Sequence, residues 1–191
     1  MLLLTNGHFK EAQTLLLDTF YMSFFVNNQI ISERVRKECG EYLCALQVEL
    51  TKRDLPVEDN QRILELSCFF THFNLRLEHH RLALRSAMTT AYKQHCNRLA
   101  GKLARRLLDT SSSDNPLAEA VATMAKKVLS AGEKAKEDDP ITVEYDGLRQ
   151  PVVVCMKRLV QINMPVASCP CCGAEYGERV GNCVVCHLAQ L

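Results

Sequence analysis

Four cysteines near the end of the chain have the type and spacing for chemistry. Cys169 and Cys172 form one C-x2-C pair, Cys183 and Cys186 a second, and ten residues separate the pairs. A C-x2-C pair lets two sulfurs reach one ion from a tight turn, and two such turns complete a tetrahedron. Gly173, directly after the first pair, relieves backbone crowding, and Gly181 is expected to play the same part just before the second. Thiolates select a soft or borderline ion, which in a reducing compartment points to Zn2+. Four protein ligands leave no position open for water or substrate, so the expectation is one structural Zn2+, not a catalytic one. Cys171 is left over as a spare, and His187 is a weaker substitute for Cys186. The alternative for the whole cluster is free thiols.

These cysteines need elements to hold them. A segment of their size buries too little apolar surface to fold by itself. A structural zinc contributes on the order of 10 kcal/mol, against about 2 to 4 kcal/mol for a disulfide. The ion therefore decides whether the end of the chain is ordered, and the rest of the sequence supplies the body it is attached to.

That body reads as helices. Hydrophobic residues make up 47% of the chain, there is no Trp, and Leu and Ala recur throughout, a composition of packed helices rather than of a sandwich or barrel. Phe9, Ala12, Leu16 and Phe20 fall at helical spacing. A second helix over about 29–52 places Val35, Cys39, Tyr42, Leu46 and Leu50 on one face. Pro56 suits the first position of a third, which would bury Ile63, Leu66, Phe70 and Phe73. A fourth, from about Glu78, presents Leu84, Ala87, Met88 and Ala91. In the fifth, Leu99, Leu103 and Leu107 stack at every fourth position. The sixth is predicted to start at Pro116 behind a cap at Asp114 or Asn115, with Leu117, Val121, Met124 and Val128 as its stripe. Gly7, Phe9 and Ala12 in the order G-x-F-x-x-A are similar to the turn and second-helix start of a tetratricopeptide unit. On that reading "MLLLT" is the end of a helix begun upstream, and the chain is a fragment.

After Lys136 the pattern changes. "KEDDP" breaks the helices, and "ITVEYDG" and "QPVVVCMKRLVQI" read as strands from their β-branched residues and "DG" turn. The expected fold is mainly α: tetratricopeptide-like or α-solenoid helical hairpins, then a small β segment with a zinc-ribbon-like pair of knuckles. Two domains are expected, a helical scaffold over 1–137 and a β-containing tail over 138–191.

Charge and motifs narrow the function. The formal net charge is +1, which gives no general attraction to nucleic acid or anionic membrane. From Cys169 onward the charged residues are Glu175, Glu178 and Arg179, a poor phosphate-binding surface. A zinc-ribbon nucleic-acid adaptor is therefore the alternative, not the expectation. No phosphate-binding loop, dinucleotide fingerprint, H-E-x-x-H or G-x-S-x-G occurs, so neither an enzyme nor a small-molecule substrate is expected. No stretch reaches the roughly 18 to 20 apolar residues of a membrane span. The opening "MLLL" is too short for a signal peptide, and ten cysteines without one point to the cytoplasm. Cys39, Cys44, Cys68 and Cys96 read as small core residues, and His79 and His80 as surface residues.

Several blocks, in order, resemble a known family: "CGEYLCALQVELTKRDLP", "QRILELSCFFTHFNLRLEHHRLALRSAMTTAYK", "LARRLLD", "KVLSAGEK" and "VEYD". They closely resemble the C-terminal domain of the coatomer alpha subunit, including its signature at Cys68-Phe69-Phe70-Thr71-His72-Phe73-Asn74-Leu75. The terminal "CPCCGAEYGERVGNCVVCHLA" is similar to plant-type members, which keep paired cysteines. The resemblance implies a structural subunit of the COPI coat, in Golgi-to-endoplasmic-reticulum and intra-Golgi vesicle transport. Its implied partners are the epsilon subunit, a tetratricopeptide protein, and other coatomer subunits. Its implied place is the cytoplasm, the cytoplasmic side of the Golgi membrane as a peripheral protein, and the coated vesicle. An apolar strand pair within 141–163 is the candidate for the element around which the epsilon partner curls. The upstream propellers are absent, so cargo recognition is not assigned here. Another helical-repeat trafficking scaffold, such as an intraflagellar transport subunit, is a further alternative.

Overall fold

The computed structural model describes residues 2–145 and 152–191. Among them are seven α-helices and four short strands, in two compact units. The first unit comprises Met1–Asp54, His72–Leu75 and Glu144–Leu191, and the second Leu55–Thr71 and Arg76–Val143. This grouping differs from the expected split at 137, because the first three helices belong with the cysteine-bearing segment and not with the later helices.

In the first unit, α1 (Leu2–Thr5) ends in a turn at Gly7, whose φ of +80° suits a residue without a Cβ. Helix α2 (Phe9–Met22) follows, starting where the G-x-F-x-x-A spacing puts it, with Ala12 and Phe20 buried. A single 3-10 turn at Ser23–Phe25 leads to α3 (Gln29–Arg53), whose first turn is capped by the Asn28 side chain accepting the Ile31 N–H at 3.1 Å. The expected single apolar face of α3 is only part of what is observed. Cys39, Gly40, Tyr42, Leu43, Cys44, Ala45, Leu46, Val48 and Glu49 are all buried, so this stretch is covered nearly all round. The one charge among them, Glu49, is matched by Lys52 at 2.5 Å and Arg53 at 3.1 Å.

The strands of this unit form two antiparallel hairpins: β1 (Val153–Cys155) with β2 (Val160–Ile162), and β3 (Ala167–Ser168) with β4 (Glu175–Tyr176). The strand expected in "ITVEYDG" is not formed at 141–145, and its "DG" turn lies outside the described residues. Tyr145 instead anchors this part of the connection, its hydroxyl hydrogen-bonded to His72 Nε2 at 2.6 Å. β-Branched composition marks what fits a pleated sheet and does not by itself make one.

The second unit is helical: α4 (Asn60–Phe70), α5 (Leu77–Lys93), α6 (Asn97–Asp109) and α7 (Glu119–Lys134), each packed on the next. Leu84, Ala87, Met88 and Ala91 of α5 and Leu99, Leu103 and Leu107 of α6 are buried as their spacing requires. Helices α6 and α7 cross glycine on glycine, and a Cβ on Gly132 would lie 2.8 Å from the Gly101 Cα.

Two helix starts fall later than expected. Residues 56–59 close a turn, with the Asp59 N–H donating to the Pro56 carbonyl at 3.0 Å, and Asp59 then caps α4 through the Arg62 N–H. Before α7, Ser111 and Ser112 hydroxyls accept the N–H groups of Leu117 and Asn115, while Arg81 donates to the Asn115 carbonyl and side chain. These bonds hold 111–117 as a loop, so Pro116 lies outside the helix. His79 and His80 also depart from expectation: His79 is buried and His80 half-buried, and burial pushes both imidazoles below their ordinary pKa.

The charged break "KEDDP" has a definite task. The Asp139 carboxylate accepts the N–H groups of Arg98 and Leu99, both at 2.9 Å, and so caps α6 from forty residues away in sequence. Arg98 in turn pairs with Asp138 and donates to the Lys136 carbonyl. Asp139→Ala is expected to destabilise the chain by about 1 kcal/mol, read as a lower denaturant midpoint at unchanged slope. Glu137→Ala, in the same charged run, should leave the midpoint where it is.

Candidate metal centre

The two cysteine pairs are presented by two turns of the same build. In the first, the Gly173 N–H donates to the Cys169 carbonyl at 2.9 Å, the Cys169 N–H to the Ala174 carbonyl at 2.8 Å, and Gly173 has φ +77°. In the second, the His187 N–H donates to the Cys183 carbonyl at 3.1 Å, the Cys183 N–H to the Ala189 carbonyl at 2.9 Å, and His187 has φ +59°. The counterpart of Gly173 is thus His187. Gly181 does not have a positive φ, and it meets nothing within 4 Å of a Cβ position. His187 is exposed, and it is Cys186 that joins the cluster. The turn between β1 and β2 repeats the pattern a third time: the Leu159 N–H donates to the Cys155 carbonyl at 2.6 Å, with Leu159 at φ +54°. Here Arg158 stands where the second cysteine of a pair would. Burial raises the Cys155 thiol, but N–H groups of Gly177, Arg158 and Lys157 and the Arg158 side chain outweigh it and bring the pKa below the ordinary value.

All four expected ligands come together. The sulfurs of Cys169, Cys172, Cys183 and Cys186 lie within 4.8 Å of one another, and all four residues are buried. The Cys169–Cys186 and Cys172–Cys183 sulfur separations are both 3.6 Å. A tetrahedron with metal–sulfur bonds of about 2.3 Å has edges of about 3.8 Å, so the donor set fits a four-coordinate thiophilic ion. Cys171, inside the first turn, stays outside the cluster and is partly exposed.

The surroundings grade Cys172, Cys183 and Cys186. The hydrogen bond between Cys172 and Cys183 pushes the Cys172 thiol up and draws Cys183 down. Burial pushes Cys186 up to about 12. A metal binding here must displace the remaining protons, which makes its affinity dependent on pH.

Supports for these turns come from residues that spacing did not single out. Gly40 of α3 lies directly beneath the first turn, and a Cβ there would stand 2.3 Å from the Cys172 carbonyl oxygen. Cys44, one turn further along α3, is near enough to Cys172 to help push its thiol up. Tyr21 of α2 donates its hydroxyl to the Cys186 carbonyl at 3.0 Å. Tyr176 of β4, fully buried, donates to the Cys183 sulfur at 3.1 Å. Cys39, Cys68 and Cys96 are buried core residues as expected, and Cys44 is one that also touches the cluster.

The described residues thus combine seven helices with a buried cluster of four thiols that could hold one metal ion. Comparison with known proteins makes this specific. Residues 2–191 match the family described as the C-terminus of the coatomer (COPI) alpha subunit, and the chain belongs to that family. It is 36% identical over 201 residues to coatomer subunit alpha-1 of Arabidopsis thaliana, covering 98% of this chain and 16% of the relative. It is 40% identical over 155 residues to coatomer subunit alpha-2 of the same plant, covering 79% of this chain and 12% of the relative. Coatomer subunit alpha of Dictyostelium discoideum is 33% identical over 202 residues, 98% of this chain and 16% of the relative. The chain therefore spans about a sixth of the length of the relatives it covers most fully. No helix among the described residues is long and apolar enough to cross a membrane.

Proposed function

We propose that this chain acts as the C-terminal, partner-docking part of a structural subunit of the COPI vesicle coat, not as an enzyme. The observation that carries the reading is the family match over residues 2–191. The consecutive packing of α4 to α7 suits a solenoid-type scaffold, a shape that offers extended surface to another helical-repeat protein. The partner is the coatomer epsilon subunit, with further coatomer subunits beyond it. The activity is support of Golgi-to-endoplasmic-reticulum and intra-Golgi transport from the cytoplasmic face of the membrane. The β1–β2 hairpin, inside the 141–163 segment, is the element the partner grips. Cys169, Cys172, Cys183 and Cys186 hold one Zn2+ in a zinc-ribbon-like arrangement that fixes the turns without taking part in any reaction. The mixed charge of this segment favours neither nucleic acid nor a small-molecule substrate.

The test is mixing the folded chain with purified epsilon subunit at micromolar concentration and following size exclusion with light scattering. A 1:1 complex is expected. Separate elution of two folded proteins would overturn the docking role.

A further inference from the structure

We propose that Tyr176 is a positioning residue of the metal centre, whose hydroxyl donates a hydrogen bond to the Cys183 thiolate and ties the two cysteine turns into one site. The proposal rests on the zinc reading above. Four thiolates around a divalent ion leave a net charge of −2, and all four sulfurs are buried. Such charge is costly away from water unless donors reach the sulfurs. The Cys186 N–H donates to the Cys183 sulfur at 3.5 Å, but from within the same turn. The Tyr176 hydroxyl, at 3.1 Å, is the closer donor and comes from elsewhere.

Its orientation is fixed from both ends. The Val184 N–H donates to the Tyr176 oxygen at 3.1 Å, occupying a lone pair and leaving the O–H to point at sulfur. The ring is fully buried, and Tyr176 pairs with Ala167 across the β3–β4 ladder, two residues before Cys169. The hairpin that carries the first pair of cysteines therefore also carries the donor for the second pair. Outer contacts of this kind orient ligands and tune the metal, and losing one typically weakens binding roughly 10- to 100-fold.

The test uses Co2+ as an optical probe on the full chain, wild type and Tyr176→Phe, with Zn2+ competition for affinity. Wild type is expected to show the visible bands of a tetrahedral thiolate site. Tyr176→Phe keeps the ring and is expected to bind Co2+ roughly 10- to 100-fold more weakly. Its sulfur-to-cobalt charge-transfer band should move to lower energy, because an unbridged thiolate is the better electron donor. Fluorinated tyrosine installed at position 176 strengthens the donor and should move the band the opposite way, a response that packing alone would not produce. Normal wild-type binding with an unmoved band and unchanged affinity in both variants would overturn the role of Tyr176 and leave the zinc reading intact. Wild type with no tetrahedral thiolate spectrum would overturn the zinc reading and this role with it.

Discussion

Cys183→Ser is expected to abolish stoichiometric zinc binding and to release the end of the chain, with amides between 166 and 191 losing hydrogen-exchange protection while those of α5 and α6 keep theirs. The size of the effect follows from how little else holds this segment. Strands β3 and β4 are two residues each, and an isolated two-stranded hairpin is marginal in water at best. Against that, a structural zinc contributes on the order of 10 kcal/mol in small zinc domains, more than any one buried side chain provides. Cys183 is the most exacting choice among the four, because it receives the hydrogen bonds of the Tyr176 hydroxyl and the Cys186 N–H together. Excess chelator on the wild-type chain should reproduce the pattern. Cys171→Ser, outside the cluster, should change neither zinc content nor protection. Retention of one zinc and full protection in Cys183→Ser would rule out the clasp.

Gly40→Ala is expected to destabilise the first unit, and here the sign decides. In an exposed helix interior alanine is favoured over glycine by about 1 kcal/mol, so a featureless α3 would gain stability. At Gly40 the new Cβ would lie 2.3 Å from the Cys172 carbonyl oxygen, 3.0 Å from its carbon and 3.2 Å from its Cα. These are backbone atoms within a closed turn, and they cannot rotate away as a side-chain tip would. Overpacking of this kind costs about 1 to 3 kcal/mol, and it pushes on the residue that carries a ligand. Gly40→Ala should therefore lower the melting temperature and weaken zinc binding together. Gly181→Ala is the matching control, since nothing lies within 4 Å of its Cβ position, and it should be neutral. A Gly40→Ala protein more stable than wild type would show that α3 and the first turn are not in contact.

Much of the site was legible in sequence, and what was not shares one cause. The two C-x2-C pairs announce themselves because ligand spacing is a local property of a turn, and their sulfurs do converge. Helices α5 and α6 likewise carry their signals within a few residues, and their apolar stripes are buried as spaced. Gly40, Cys44, Tyr21 and Asp139 act on residues forty or more positions away, so no local pattern marks them. The helix starts missed at Pro56 and Pro116 fail for a related reason. Proline permits a first helical position, but the turn at 56–59 and the grip of Arg81 on Asn115 decide that the chain is not yet helical there. The strand expected in "ITVEYDG" had composition in its favour, yet none forms at 141–145 among the described residues. The all-round burial of 39–49 in α3 exceeds what one apolar stripe suggested, because the helix is covered by segments from both ends of its unit. The β1–β2 turn escaped notice as a relative of the cysteine turns because only Cys155 of a pair is present.

The most direct measurement of the central claim is zinc K-edge X-ray absorption on the purified full chain, alongside metal and protein quantitation of the same sample. One zinc per chain with four sulfur neighbours at about 2.3 Å is expected. A zinc-free chain whose residues 166–191 are still ordered, or a zinc shell containing nitrogen or oxygen in place of any of the four sulfurs, would contradict it.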